Sequence, residues 1–264
     1  MVAENKLGNQ LVLDRMSQVT SFPAWVMNYG GMKGSPALQA ALADLLQRTF
    51  VPEPTLDPES MCILAGCSGI LDHLFFCLAD AAESILIPAP YYPAFDNDLQ
   101  ATSSLIPLAF FLNEDEDITA QLDQAAAAAK HAGQPVRALL ITNPNNPLGI
   151  IYKQETVQAM LCWCLENKIH YVSDEIYALS VYKSSNGNPK TNAFVSALTV
   201  AHGLVESGLF DQADMDMFVH LVYGMSKDWC ASGLRVGLLY SRNAKLQQVG
   251  DHEFVVVYIL ISLI

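Results

Sequence analysis

One lysine in this chain stands in a setting that suits covalent chemistry. Lys227 falls between two apolar runs, residues 219–223 and 236–240, within the segment YGMSKDWCASGLRVG at positions 223–237. Lysine is strongly hydrated and rarely buried, so a lysine at the edge of apolar segments calls for a reason. An amine partly shielded from water can form a Schiff base with an aldehyde cofactor. The alternative interpretation is a solvated lysine in a surface turn, which is the commoner case.

Polar residues that could assist such a lysine follow other apolar runs. Residues 66–69 (GCSG) lie between a candidate strand and a candidate helix, where backbone amides and the Ser68 hydroxyl would suit a phosphate. An ordinary turn with an N-cap serine is the alternative there. Asp174 ends another apolar run, where its carboxylate could pair with a cationic ring nitrogen or cap a helix. Tyr177 could donate to a phenolate, and Arg235 could hold a phosphate through two hydrogen bonds or form a surface ion pair.

The order of these segments is more specific than any one of them. The glycine-containing turn comes first, followed by NPNNPLG at 143–149 and DEIY at 174–177. SKD then stands at 226–228, with Arg235 eight residues after the lysine. Two prolines and a glycine make the NPNNPLG segment too rigid for a generic loop. We therefore treat the set as one candidate site.

Alternating strands and helices are predicted to position this site. Apolar runs and helical periodicity predict strands at 61–65, 84–88, 137–142 and 169–173, and helices from residue 36, at 117–131 and at 155–167. This alternation indicates an α/β fold, a three-layer α/β/α sandwich with a mostly parallel sheet. Ligands of such sheets bind beyond the carboxyl ends of the strands, which is where the candidate residues fall.

The first of these helices has a recognisable start. Ser35 followed by Pro36 is typical of an N-cap with proline at the first helical position. Helical spacing then predicts one buried face, which comprises Leu38, Leu42, Leu45, Leu46 and Thr49. Further along, residues 184–191 are rich in serine, asparagine and glycine and predict a loop.

Composition limits the function classes. The 264 residues form one large domain or two small ones, and a formal net charge of −13 argues against nucleic acid and anionic membranes as partners. No C-x-x-C pair occurs among the six cysteines, so no metal site is predicted. Their apolar neighbours suit buried thiols in a reducing compartment. Residues 1–6 do not resemble a secretory signal, and a cytoplasmic location is expected.

The motifs resemble those of the class I/II aminotransferases, which are fold-type I pyridoxal-phosphate enzymes. Within that family the chain is most similar to the 1-aminocyclopropane-1-carboxylate (ACC) synthase branch, especially its fungal members. The resemblance runs from residue 2 to about residue 243. The matching stretches are 2–5, 28–30, 65–69, 77–80, 90–93, 140–149, 173–178, 224–228 and 233–237.

The resemblance implies a cofactor, pyridoxal 5'-phosphate, and a role for each matching residue. Lys227 would bond to the cofactor aldehyde and move a proton at the substrate α-carbon, and Asp174 would pair with the protonated pyridine nitrogen. Tyr177 and Asn146 would bind the ring oxygen, and a tyrosine would stack on the ring. The stacking residue implied is Tyr92, with Tyr91 as the alternative; the phosphate ligands implied are Cys67, Ser68, Ser226 and Arg235.

The resemblance also implies a homodimer and reveals two departures. Tyr29 resembles a tyrosine that reaches the phosphate of the other subunit. Many aminotransferases have serine where this chain has Gly224. The family also continues into a small C-terminal domain that carries the arginine for the substrate carboxylate. We expect that domain to be missing here, with a partial N-terminal segment at 1–30, a cofactor-binding large domain at 31–243 and an atypical apolar tail at 244–264.

The resulting hypothesis is a pyridoxal-phosphate enzyme, most of all an aminotransferase, whose small-molecule substrate is an α-amino acid. ACC synthesis and C–S bond cleavage are alternative outcomes of the same cofactor chemistry. A truncated, non-catalytic remnant is a second possibility. A serine hydrolase is a remote third, because the G-x-S-x-G elbow requires glycine where Ile70 follows Ser68 and Gly69.

Overall fold

The fold is described from a computed structural model that covers residues 6–19, 27–28, 30–182 and 193–252. Tyr29, the predicted loop at 184–191 and residues 253–264 of the apolar tail lie outside the described residues. Within these ranges, no helix is both long enough and apolar enough to span a membrane.

The predicted strands and helices are confirmed to within one or two residues at each end. The strands are β1 (Met61–Ala65), β2 (Ser84–Ala89), β3 (Ile106–Phe111), β4 (Val136–Thr142), β5 (His170–Asp174), β6 (Val219–Gly224) and β7 (Val236–Ser241). The helices are α1 (Lys6–Met16), α2 (Pro36–Thr49), α3 (Gly66–Leu78), α4 (Phe95–Gln100), α5 (Ile118–His131), α6 (Gln154–Asn167), α7 (Ala197–Glu206), α8 (Gln212–Phe218) and α9 (Ala244–His252).

The strands form one mixed sheet in the order β1-β7-β6-β5-β4-β2-β3. The pairs from β6 to β3 are parallel, whereas β7 runs antiparallel to both of its neighbours, β6 and β1. Only residues 225–235 join β6 to β7, which is too short for the helical crossover that parallel neighbours need. The prediction of a mostly parallel sheet is therefore confirmed, with β7 as its exception.

Two apolar cores, one on each face of the sheet, make the three layers. Leu139 and Ile141 of β4 face the larger core, which α2, α5, α6 and α7 cover. Ala138 and Leu140, the alternate residues, face the smaller core under α3, α4 and α9. Because successive side chains of a strand point to opposite faces, an apolar run such as β4 is buried on both sides. The α/β/α prediction is confirmed.

The start of α2 is as predicted, and its buried face is as predicted at Leu42 and Leu46 but not at its two ends. The Ser35 hydroxyl accepts a hydrogen bond from the Leu38 N–H, which confirms the N-cap. Leu38 and Thr49, predicted to be buried, are exposed. Gln39 is buried in their place, and its Nε2 donates to the Met61 carbonyl at 2.7 Å. Because Gln39 binds this carbonyl of the edge strand β1, the buried side of α2 includes a polar residue and differs from the purely apolar stripe.

Two histidines lie toward the amino ends of the parallel strands. His170 begins β5, and its Nδ1 lies 2.9 Å from Nε2 of His220 in β6. His220 is fully buried, and its Nδ1 lies 2.8 Å from the Ser241 hydroxyl. Burial lowers the pKa of His170 to about 4, and the charge of Arg137 adds to the effect. Burial also lowers the pKa of His220 well below its usual value. Both rings are therefore neutral in the folded protein at neutral pH.

Acid should destabilise the protein through this pair. Between pH 4 and about 6.5 the unfolded chain binds protons that folded His170 does not, so its contribution to the free energy of unfolding falls as the pH falls. Between pH 7.5 and pH 4.5, the free energy of unfolding of the His170→Gln variant should therefore fall by about 2 kcal/mol less than that of the unmodified protein. Urea unfolding of both proteins at the two pH values measures this difference. Any effect of the substitution that does not depend on pH cancels when the two pH values are compared. Equal pH dependence would mean that the pKa of folded His170 is unperturbed.

Candidate active site at the carboxyl edge of the sheet

A cavity of about 220 Å³ lies at the carboxyl ends of the parallel strands. Hydrogen bonds across those ends hold them together. The Asn143 N–H donates to the carbonyl of Asp174 at 3.0 Å, and the Glu175 N–H donates to the carbonyl of Val222 at 2.8 Å. The turn after β1, residues 92–98 leading into α4, and the loop between β6 and β7 contribute further parts of the wall. The cavity thus lies where open α/β sheets bind their ligands.

Nine of the ten residues predicted from the sequence line this cavity. They are Cys67, Ser68, Tyr92, Asn146, Asp174, Tyr177, Ser226, Lys227 and Arg235. The tenth, Tyr29, lies outside the described residues. Residues from five separate stretches of sequence, at 67–68, 92, 146, 174–177 and 226–235, therefore meet in one space.

Lys227 is positioned through its neighbour, Asp228. The Asp228 carboxylate accepts hydrogen bonds from the Leu179 N–H at 2.9 Å, the Tyr223 hydroxyl at 3.1 Å and the Ser180 hydroxyl. Leu179 and Ser180 follow Tyr177 directly in sequence, whereas Tyr223 belongs to β6. One carboxylate thus ties the lysine loop to the segment that carries the cavity tyrosine.

Asp174 is a buried carboxylate whose environment favours a cationic ligand. It is 5% exposed, and its Oδ1 accepts a hydrogen bond from the Ile176 N–H at 3.3 Å. Burial raises its pKa to about 7, against the opposing effects of that hydrogen bond and of the Lys227 charge. A buried carboxylate costs free energy unless a cation or hydrogen-bond donors compensate it. A protonated ring nitrogen would supply that compensation.

The NPNNPLG loop uses two of its asparagines to hold its own shape. Asn145 accepts from the Leu148 N–H at 3.1 Å and donates to the Tyr152 hydroxyl at 3.1 Å. The Asn143 Oδ1 accepts from the Tyr152 N–H at 3.2 Å. Asn146 is the asparagine of the loop that lines the cavity. Its amide can therefore serve as a ligand while its neighbours fix the backbone.

Arg235 lies over the turn that begins α3. Its guanidinium donates to the carbonyls of Ala65 at 3.2 Å and Ser232 at 3.0 Å. A Cβ at Gly66 would lie 2.9 Å from the Arg235 Cζ, so only glycine leaves room for the guanidinium. The backbone amides at the start of α3, the Ser68 hydroxyl and the guanidinium together form a donor set that suits a phosphate.

The aromatic residues differ in their access to the cavity. Tyr92 lines it, is 40% exposed, and packs edge-on against Phe95 with ring centroids 5.5 Å apart. Tyr91 does not line it, and its hydroxyl donates to Asp96 at 2.8 Å. Tyr177 is half-buried, and burial is the main reason that its pKa is raised. Of the two adjacent tyrosines, Tyr92 is thus the one that lines the cavity.

Sequence reasoning missed three polar residues of the cavity wall, Asp98, Thr142 and Ser232. Thr142 ends β4 beside Asp174, and its buried hydroxyl has no partner among the described residues. Tyr92, Phe95 and Asp98 recur every third residue, a helical spacing that indicates one shared face. That spacing was the available signal for Asp98, whereas nothing local distinguished Thr142.

The cavity does not support a serine hydrolase. Ser68 lines it, but no histidine is found among the described residues that form its wall. A nucleophilic serine requires a base within hydrogen-bond reach. The wall instead offers one amine, one guanidinium and three serine hydroxyls as donors, and the buried Asp174 carboxylate as an acceptor. These groups fit a phosphorylated, ring-containing aldehyde.

Comparison with known proteins agrees with this chemistry. Residues 16–254 match the family described as aminotransferase class I and II. The chain is 36% identical over 246 residues to a probable aminotransferase of Arabidopsis thaliana, covering 89% of this chain and 47% of that protein. It is 33% identical over 256 residues to a 1-aminocyclopropane-1-carboxylate synthase of Glycine max, covering 92% of this chain and 50% of that protein. The chain spans about half the length of these curated relatives.

Solved structures share the fold. An aminotransferase from Mycobacterium tuberculosis superposes with a TM-score of 0.70 at 20% identity, covering 96% of this chain and 59% of that one. An alanine aminotransferase from Pyrococcus furiosus superposes with a TM-score of 0.68 at 22% identity, covering 98% of this chain and 58% of that one. At this level of identity the likeness shows the fold alone.

The glycine at position 224 has a steric cause in this structure. A Cβ there would lie 2.8 Å from the Cys67 Sγ and 3.1 Å from the Val236 carbonyl oxygen. The cysteine side chain thus fills the space that a serine at 224 would need.

Gly224→Ser should therefore destabilise the protein by about 1–3 kcal/mol, because it overpacks this contact. Adding Cys67→Ala should recover part of the loss, since the sulfur is the nearest obstacle. Urea unfolding of the two single variants and the double variant measures the coupling. Gly203→Ser, in α7 with open space around it, is the matched control and should not destabilise. Additive effects of the two substitutions would contradict the packing argument.

Proposed function

Since the chain belongs to the class I and II aminotransferase family, whose members use pyridoxal 5'-phosphate, we propose that its cavity binds this cofactor and acts on an α-amino acid. The observation that carries the proposal is the meeting of Lys227, Asp174 and Arg235 in one cavity. Each supplies what a different part of the cofactor requires: an amine, an anion and a cation.

The phosphate would be held at the start of α3. Arg235 would bind it through charge-assisted hydrogen bonds. The hydroxyls of Ser68 and Ser226 and the backbone N–H of Cys67 would complete the set, and the amino end of α3 favours a negative charge there.

The ring would be held by the strand ends. Asp174 would keep the ring nitrogen protonated, and the buried carboxylate would gain its missing cationic partner. Asn146 and Tyr177 would donate to the ring oxygen, and Tyr92 would cover one face of the ring. When bound, the cofactor supplies an electron sink that stabilises negative charge at the substrate α-carbon.

Lys227 is the residue that would act on the substrate. Its Nζ would bond to the cofactor aldehyde until an amino acid replaces it, and would then move the proton at the α-carbon. We favour transamination as the outcome. The similarity to ACC synthases supports elimination chemistry as the alternative, because the same proton transfer begins both reactions.

The proposal extends to assembly and location. We propose a homodimer in which Tyr29 reaches the phosphate of the partner site. We propose a cytoplasmic location; no disulfide joins the six cysteines, all of which lie within the described residues, and this supports a reducing environment.

A visible absorbance band tests the cofactor assignment. Purified protein mixed with pyridoxal phosphate should develop the band of a lysine-bound cofactor, and Lys227→Ala should lose it. Lys153→Ala is the matched control, because Lys153 pairs with Asp115 on the surface and should keep the band. Absence of a band in the unmodified protein would refute the cofactor assignment. A band without turnover of any amino acid would refute the enzymatic assignment and support a non-catalytic remnant.

A comparison of pyridoxal phosphate with pyridoxal tests the role of Arg235. Arg235→Gln should weaken binding of pyridoxal phosphate about 10–100-fold, because a charge-assisted pair is lost, and should change pyridoxal binding less than about twofold. Equilibrium titrations by absorbance give both affinities. Arg242→Gln, which alters an arginine paired with Asp216 outside the cavity wall, should behave like the unmodified protein. Equal losses for both ligands would place the phosphate elsewhere.

A further inference from the structure

The proposed function leaves no task for Asp228, the acid that directly follows Lys227. Asp228 is half-buried and lies outside the cavity wall, so it meets no ligand there. A carboxylate that loses part of its hydration requires hydrogen-bond donors in place of the water. The role of Asp228 therefore depends on which donors surround it.

The two oxygens of Asp228 accept hydrogen bonds from distant parts of the chain. Oδ2 accepts from the Leu179 N–H at 2.9 Å and from the Tyr223 hydroxyl at 3.1 Å, and Oδ1 accepts from the Ser180 hydroxyl. Tyr223 is fully buried, and its hydroxyl accepts from the Trp229 Nε1–H at 3.1 Å. The carboxylate is thus fixed to the sheet on one side and to the backbone of Leu179 on the other.

Tyr177 lies in the middle of a short turn, residues 175–180, that we call the tyrosine turn. At its start, the Glu175 N–H donates to the carbonyl of Val222 at 2.8 Å. At its end, the Ser180 N–H donates to the Tyr177 carbonyl at 2.9 Å, and the Ser180 hydroxyl donates to Asp228. Strand β6 therefore holds one end of the tyrosine turn, and Asp228 holds the other.

The loop that carries Lys227 is closed by its own backbone. The Lys227 carbonyl accepts from the Cys230 N–H at 3.0 Å, and the Met225 carbonyl accepts from the Ala231 N–H at 3.0 Å. Asp228 belongs to this closed loop. Its hydrogen bonds to the tyrosine turn therefore also fix where that turn lies relative to the lysine.

We propose that Asp228 is a positioning residue that holds the Tyr177 hydroxyl within hydrogen-bond reach of the ring oxygen of a cofactor bonded to Lys227. Asp228 acts through the hydrogen bonds that it accepts and not through its charge. Burial is the main reason that the pKa of the Tyr177 phenol is raised, so the phenol keeps the proton that it would donate. This inference rests on the proposed function, since it takes a ring oxygen to lie beside Tyr177.

The pH midpoint of the visible absorbance band measures the hydrogen bond from Tyr177. A donor withdraws negative charge from the ring oxygen, and that oxygen then stabilises less well the protonated nitrogen that joins Lys227 to the cofactor. Tyr177→Phe should therefore raise the midpoint by about one pH unit. The other ionisable side chains of the cavity wall are the same in every variant: Cys67, Tyr92, Asp98, Asp174 and Arg235.

Two substitutions at Asp228 separate its hydrogen bonds from its charge. Asp228→Ala removes both, and the misplaced phenol should raise the midpoint by about 0.5–1 pH unit. In Asp228→Asn, the amide oxygen can still accept from Leu179 and Tyr223, and the amide nitrogen can donate to the Ser180 hydroxyl. Its midpoint should stay level or fall slightly, because loss of a nearby negative charge disfavours the protonated nitrogen.

A double variant tests whether Asp228 acts through the phenol. In the Tyr177→Phe protein, Asp228→Ala should cause no further rise, because the donor is already absent. Asp214→Ala, which alters an acid paired with Lys168 outside the cavity wall, should leave the midpoint unchanged. If Asp228→Ala does not fold, Ser180→Ala changes an exposed residue instead and should give a smaller rise of the same sign.

The sign of each shift decides the outcome. An unchanged midpoint in both Asp228 variants would overturn the inference and leave this residue a structural one. A fall in both would also overturn it, because only the charge would then matter, as would a rise of equal size with and without the Tyr177 hydroxyl. Absence of the band from the unmodified protein would overturn the proposed function, and this inference with it.

Discussion

The site depends on how closely β7 approaches the turn between β1 and α3. A Cβ at Gly237 would lie 2.6 Å from the carbonyl oxygen of Gly66, so the two backbones touch with no side chain between them. This contact allows β7 to pair with β1 on one side and with β6 on the other. Arg235, just before β7, is thereby carried over the α3 turn, and the preceding loop brings Lys227 into the same cavity as Asp174. Larger residues at these glycines would separate the cation from the amine.

Local patterns in the sequence predicted much of this arrangement. Apolar runs predict buried strands, and helical periodicity predicts long helices. The carboxyl ends of parallel strands lie at one edge of the sheet for geometric reasons alone. The position of β7 was not predicted, because its partner β1 lies far away in sequence and an apolar run does not reveal direction. The exposed Leu38 of α2 shows the same limit. A carbonyl of the edge strand decided which face of that helix is buried.

The parts of the site that the sequence did not reveal are those that depend on partners distant in the chain. Asp98 joins the cavity wall because α4 packs against α3, and Thr142 becomes a wall residue only when Asp174 lies beside it. Glu175 is a related case. This buried acid follows Asp174 and accepts from the Ala197 N–H at 2.8 Å, so it fixes the start of α7, and burial raises its pKa to about 7. Of these two adjacent carboxylates, Glu175 thus holds the start of a helix, whereas Asp174 lines the cavity.

The Asp228 carboxylate has a consequence for motion. It joins the backbone after Tyr177 to the loop of Lys227 through several hydrogen bonds, one of them to Tyr223 in the middle of the sheet. Groups held by a common anchor move together, so thermal displacement of the loop would carry the amine and the phenol along as one body. Their separation would then vary less than the position of either. A ligand that contacts both the amine and the phenol would therefore lose less conformational entropy on binding, even if the cavity as a whole fluctuates in size.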